Sequence, residues 1–308
     1  MRPPVGLRGS ALLLFDFSRG RQALLSVTQP ALGALLAAGG LPSGRVIGLG
    51  LVAAGAGFLS VFAANDLYDR RADAVEVALR AGRPAAEPPA KSFDVDVVSV
   101  RHPLATGQLP LWLGISWVAG LGLVGFAAAW ALRPLCALLF LACTLLEFIY
   151  CSLRKRSWSK TIPAGIMVGL GGLAGWFAVA GPSWGALAFF LLLTTWEIAG
   201  RNLSNDLADL SGDGAVGITT VATIFGPATS ANWILLGAIA MPLLAALQPG
   251  GLLLRLSLAA GAIALMTLPA LRLKLATSEA QAQMYFNRAS LYPALAFAAA
   301  AITLSLGV

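Results

Sequence analysis

Long apolar stretches alternate with short polar connections over almost the whole chain. Nine stretches reach the roughly 20 residues needed to cross a bilayer. They fall at about 22–41, 45–64, 109–131, 134–152, 162–180, 184–203, 229–248, 252–271 and 288–307. Within them the apolar positions are continuous and do not alternate with period two. Backbone groups in lipid are satisfied internally only in helices or closed barrels, so the pattern predicts helices. In the fifth stretch Gly165, Gly169, Gly171, Gly172 and Gly175 provide small residues for close helix contact. The polar connections are unequal. The longest, residues 74–108, carries Gly82-Arg83-Pro84-Ala85-Ala86-Glu87-Pro88-Pro89, whose prolines exclude a continuous helix.

Composition agrees with this pattern. Of the 308 residues 58% are hydrophobic and 11% are charged, against about 25% charged in a soluble domain. The expectation is one all-α integral membrane domain over 1–308, with about nine transmembrane helices. The net charge of +7 is not spread evenly. With the N-terminus in the cytoplasm, 18 of the 21 Lys and Arg residues fall on cytoplasmic segments, and Arg45, Arg133 and Arg255 on the other face. That is positive-inside topology rather than a nucleic-acid footprint. The expected location is a plasma membrane, the bacterial inner membrane, with no secretory signal. Cys136, Cys143 and Cys151 lie along one apolar helix without C-x-x-C spacing and read as packing thiols.

A nine-residue pattern, N-D-x-x-D-x-x-x-D, occurs twice: Asn65 to Asp73 after the second stretch and Asn205 to Asp213 after the sixth. Both copies fall on the cytoplasmic face. On a helix, offsets of 3 and 7 residues lie about 60° and 20° from the first position. Asp66, Asp69 and Asp73 therefore share a face, as do Asp206, Asp209 and Asp213. Two carboxylates ~6 Å apart repel by roughly 3 kcal/mol at an effective dielectric near 20. Six need a cation. An oxygen-only donor set points to a hard ion, Mg²⁺ above others, which keeps part of its shell for substrate phosphate.

A phosphate also calls for basic partners. Arg154 and Lys155, directly after the fourth stretch, are the leading candidates; Arg101 and Lys160 rank below them. Asn202 lies four residues before Asp206 and extends that face. Glu197 and Arg201, at i and i+4, read as a structural ion pair turned away from the acids. Glu147 reads either as a buried polar contact or as a group facing a second substrate. His102 is the sole histidine, which excludes a histidine metal cluster.

These residues resemble the UbiA superfamily of membrane prenyltransferases. The resemblance covers most of the chain and rests on the nine stretches and the two aspartate motifs. Two flanks add to it. Arg101-His102-Pro103-Leu104-Ala105-Thr106-Gly107 is similar to the family's R-P-L-x-S-G, and Gly217-Ile218-Thr219-Thr220-Val221 through Gly226 to its G-x-x-(S/T)-L…G. The resemblance implies nine helices around a central cavity that opens to the cytoplasm, and Mg²⁺-dependent ionisation of an isoprenyl diphosphate, followed by alkylation of an acceptor. It assigns the six aspartates to metal and diphosphate, with Asn65, Asn202, Asn205, Arg154, Lys155 and Arg101 as diphosphate contacts. The partners implied are the isoprenyl diphosphate donor, a small aromatic or lipid acceptor and the surrounding lipids. The expected acceptor is an aromatic quinone precursor such as 4-hydroxybenzoate. A glycerol phosphate lipid, a phosphosugar or a tetrapyrrole is the alternative. A cation-coupled transporter is the rival from another class, and acids gathered at helix ends on one face count against it. The 27 residues Ala74 to Val100 exceed the family's usual spacing and are expected to lie over the acidic cavity.

Overall fold

The computed structural model describes residues 7–81 and 102–306. Every regular element among them is helical: α1 (Leu7–Phe17), α2 (Gly20–Ser26), α3 (Thr28–Ala38), α4 (Gly44–Ala81), α5 (Leu111–Leu132), α6 (Pro134–Leu153), α7 (Thr161–Val179), α8 (Trp184–Thr195), α9 (Leu203–Ala208), α10 (Leu210–Val216), α11 (Val221–Phe225), α12 (Pro227–Ala246), α13 (Leu252–Ala262), α14 (Leu268–Leu275), α15 (Glu279–Ser290) and α16 (Tyr292–Ser305). Wider π turns at Trp196–Asn202 and Ile263–Thr267 join α8 to α9 and α13 to α14.

Seven helical stretches among the described residues are long and apolar enough to cross a membrane: Gly44–Arg71, Leu111–Leu132, Pro134–Leu153, Trp158–Val179, Pro227–Ala246, Leu252–Leu275 and Glu279–Ser305. The expected count of nine is therefore not met by nine uninterrupted helices. The first expected stretch is divided at Val27 into α2 and α3. The sixth is divided by the π turn at Trp196–Asn202. The last membrane-crossing stretch starts at Glu279, well before residue 288, because Ser278 caps α15 by accepting from the Gln281 N–H at 3.2 Å.

The core is built where helices touch through small residues. α3, α6 and α8 all pack on α7. A Cβ on Gly175 would fall on the Pro30 carbonyl, and one on Gly169 would meet Thr194. Gly165 and Gly172 face Ile198 and Leu193 in the same way, whereas Gly171 faces open space. Four of the five glycines thus set close approaches, as expected for helices that associate by van der Waals contact. The largest buried cluster includes Leu32, Phe189, Leu193, Trp196, Leu203, Leu207, Met241, Tyr285 and Tyr292. It anchors the second aspartate motif: Leu203 and Leu207, one turn apart, are buried on the far side of α9 from solvent. The Trp196 indole N–H donates to the Ala289 carbonyl at 2.8 Å.

The helix before the first motif does not stop at residue 64. α4 runs to Ala81 and carries Asn65 to Asp73 within one helix. The expected lid, residues 74–100, lies outside the described residues beyond Ala81, as does Arg101. For Asp73 the helix is described and the side chain is not.

Candidate functional site

The two motifs come together around one cavity. Its lining includes Asn65 from the first motif and Asn205 and Asp206 from the second, with Asn202 beside them. The leading aspartate of each motif is buried, Asp66 to 6% and Asp206 to 4% exposure. Buried carboxylates need partners, and each has one from elsewhere in the chain. Lys160, at the start of α7, sits 2.7 Å from Asp206 Oδ1. Arg19 places Nη2 3.7 Å from Asp66 Oδ1. His102 places Nδ1 3.9 Å from Asp66 Oδ2. Arg154 pairs with Asp69.

Local geometry explains how these partners arrive. Among the described residues Arg19 and His102 are the two non-glycine residues in the left-handed region, with φ of 44° and 55°. Such conformations cost energy, and they cluster where a side chain must be aimed. Here both lie against Asp66. Arg154 is fixed through its backbone: its carbonyl accepts from the Thr219 N–H at 3.2 Å, and the Lys155 carbonyl accepts from the Thr219 hydroxyl at 3.2 Å. Thr219 is held in turn by the capping box of Thr220 and Thr223 at the start of α11. The Gly217–Val221 stretch thus docks the basic loop against the first motif. Lys155 itself is exposed, and only its backbone takes part in this contact.

The second motif departs from the expected single stripe. Backbone bonds continue from Asp209 N–H to Asn205 and from Asp213 N–H to Asp209, at 2.9 and 2.8 Å. Asp209 itself, at φ −99° and ψ 13°, separates α9 from α10. Asp206 is buried, while Asp209 is exposed and accepts from the Asn205 amide at 3.3 Å. Glu279 fastens α10 by accepting from the Ser211 N–H at 2.8 Å. Burial, then the Asp206 carboxylate, push the Asp213 carboxyl up to about 7. Burial also raises Asp206, against the pull of Lys160. Burial lowers Arg154, against the pull of Asp213.

The expectation that Glu197 and Arg201 turn away from the acids is corrected. Their ion pair is present, Arg201 Nε lying 4.0 Å from Glu197 Oε2. Both line the cavity with Asn202, Asn205 and Asp206. The π turn at Trp196–Asn202 widens the helix, so angles counted at ~100° per residue fail across it. Lys160 proves more central than Lys155. A lone lysine directly before an apolar run was its signal. Gln22, Ser26 and Gln29 also line the cavity. Their signal was three polar residues spaced by four and three within an otherwise apolar stretch. Cys151 does more than pack: its Sγ lies 3.1 Å from Asn65 Oδ1 and 3.3 Å from Glu147 Oε1.

Among the described residues no three carboxylate, cysteine or histidine groups converge closely enough to hold a metal by themselves. The donor set still fits a hard cation. It is oxygen-only, and Asp206 Oδ2 and Asn202 Oδ1 are both buried without a hydrogen-bond partner. An ion bound there takes one or two protein oxygens and completes its shell with phosphate and water, the usual habit of Mg²⁺.

The profile of the UbiA prenyltransferase family matches residues 27–292. No curated protein sequence matches the chain. Solved structures that share its fold include the following three. The apo UbiA homolog from Aeropyrum pernix K1 is 17% identical with a TM-score of 0.66, covering 92% of this chain and 98% of its own. The UbiA homolog from Archaeoglobus fulgidus bound to DMAPP and Mg²⁺ is 18% identical with a TM-score of 0.65, covering 94% and 99%. A digeranylgeranylglyceryl phosphate synthase is 14% identical with a TM-score of 0.67, covering 94% and 97%.

Proposed function

Because the chain belongs to the UbiA prenyltransferase family, we propose that it transfers an isoprenyl group from a membrane-soluble isoprenyl diphosphate to an acceptor, with Mg²⁺ as cofactor. The observation that carries this reading is the convergence of two aspartate motifs on one cavity, each with its leading carboxylate buried and paired to a cation. Asp66, Asp69, Asp73, Asp206, Asp209 and Asp213 are the residues proposed to hold Mg²⁺, and the ion neutralises the departing diphosphate. Asn65, Asn202 and Asn205 extend that donor set. Arg154 and Arg101, with Lys160 and Arg19, supply positive charge to the phosphate oxygens; Lys155 contributes from the loop rim. Phe58, Val61, Phe62, Met167, Val168 and Phe286 give the cavity an apolar wall. That wall suits an isoprenyl chain and keeps water from an allylic cation.

Support for the donor comes from structures of a UbiA homolog from Archaeoglobus fulgidus bound to DMAPP and Mg²⁺ and bound to GPP and Mg²⁺. An aromatic quinone precursor is the acceptor class proposed from the sequence, with a glycerol phosphate lipid as the alternative. The site is placed on the cytoplasmic face of a bacterial inner membrane, following the distribution of basic residues. The whole chain is taken as one domain.

The test uses purified protein in detergent with a radiolabelled isoprenyl diphosphate. Pyrophosphate is released with Mg²⁺ and not after chelation, and Asp66→Asn or Asp206→Asn lowers the rate at least a hundredfold. Unchanged turnover in either variant refutes the site.

A further inference from the structure

The cavity wall has a polar portion that neither an isoprenyl chain nor a diphosphate explains. Gln22, Ser26 and Gln29 follow one another at spacings of four and three, so they lie on one face across α2 and α3. All three are buried, at 4%, 3% and 3% exposure, and all three line the cavity. The row begins three residues after Arg19, which stands at Asp66. It then runs seven more residues along the helices, about 10 Å at 1.5 Å per residue. Gln29 Oε1 has no hydrogen-bond partner. A buried amide oxygen facing a cavity without a partner is costly unless a ligand donates to it.

Glu147 of α6 joins this row in the lining and is itself buried, at 6% exposure. The Cys151 Sγ lies 3.3 Å from Glu147 Oε1 and 3.1 Å from Asn65 Oδ1, so Glu147 stands beside the first motif. The charges around it argue against an anionic guest. Two cations line the cavity, and each is engaged: Arg19 with Asp66 at 3.7 Å, Arg201 with Glu197 at 4.0 Å. Arg201 also lies over the rings of Trp196 and Phe286, 5.5 Å from each centroid. The lining carries three carboxylates, Glu147, Glu197 and Asp206. Neither lining cation is left to receive a guest carboxylate or phosphate, whereas one guest hydroxyl donates its single proton to Gln29 Oε1 and a second can donate to Glu147.

We infer that the acceptor is an uncharged, hydroxyl-bearing molecule, held between Glu147 and the Gln22–Ser26–Gln29 row. This rests on the prenyl-transfer reading and narrows its acceptor. A neutral phenol fits, and so does a neutral lipid alcohol. Acceptors recognised through a carboxylate, such as 4-hydroxybenzoate, or through a phosphate do not.

The experiment pairs acceptors in which one hydroxyl gives way to an anionic group: hydroquinone against 4-hydroxybenzoate, and a 1-O-alkylglycerol against its 3-phosphate. Each is tested for Mg²⁺-dependent stimulation of pyrophosphate release, alongside direct binding of the donor with Mg²⁺. In at least one pair the neutral member stimulates release with a KM at least tenfold below that of its anionic partner. Gln29→Leu raises that neutral KM at least tenfold and leaves the donor KM within twofold. A preference for the anionic members overturns the inference. So does a Gln29→Leu protein with unchanged acceptor KM, or donor binding with no response to either neutral compound. Absence of Mg²⁺-dependent donor binding overturns the prenyl-transfer reading itself, a separate readout that tells the two failures apart.

Discussion

Replacing Lys160 by Met tests how the second motif is held before any metal arrives. Lys160 and Asp206 are 2.7 Å apart, with side chains 3% and 6% exposed. Water screens neither charge, so the small values of surface ion pairs do not apply. Removing one partner of a buried pair leaves an uncompensated charge and costs about 3–5 kcal/mol. Asp206→Asn leaves the lysine stranded and has a cost of the same order. In Lys160→Met/Asp206→Asn both charges are gone, and the double variant loses much less than the sum of the two singles. The expected coupling is about 3 kcal/mol, a hundredfold in the unfolding equilibrium. The assay is reversible unfolding in mixed micelles followed by tryptophan fluorescence, with all four proteins measured at one detergent composition. Mg²⁺ with a diphosphate restores part of the stability of Lys160→Met, because the ion replaces the lost positive charge beside Asp206. It restores none to the double variant. Strict additivity of the singles, with coupling below about 0.5 kcal/mol, refutes the claim that this contact is a desolvated ion pair.

Other outcomes follow from the same geometry. Arg154→Gln frees Asp69 and removes a phosphate contact, so the donor KM rises about tenfold in the pyrophosphate assay while the acceptor KM stays put. Gly175→Ala drives a Cβ into the Pro30 carbonyl and destabilises by about 1–3 kcal/mol, whereas Gly171→Ala meets nothing and loses no stability in the same unfolding assay. Thr219→Val removes the hydroxyl that docks on the Lys155 carbonyl. It loosens the Arg154 loop, and a donor KM raised severalfold with a folded protein is the result to look for.

The sequence by itself determined the class of the molecule and the identity of its acids. Continuous apolar stretches require helices in lipid, and that rule needs no tertiary information. Two matched aspartate nonamers on one side are legible because carboxylates are rare beside a bilayer. Helical periodicity also singled out Asn202, and glycine spacing singled out the α7 contacts. Where periodicity broke, the reading broke with it. The π turn at Trp196–Asn202 rotated Glu197 and Arg201 into the cavity, and the turn at Asp209 exposed one acid while Asp206 stayed buried. Neither irregularity has a proline or a glycine pair to announce it. Pairing was beyond the sequence altogether. Lys160 meets Asp206 across 46 residues, and Arg154 meets Asp69 across 85. Such contacts depend on how helices are stacked, which follows from side-chain packing summed over the whole bundle rather than from any local pattern. The acids were therefore written in the chain. Which cation holds each of them, and which polar residues share their cavity, was decided by the fold.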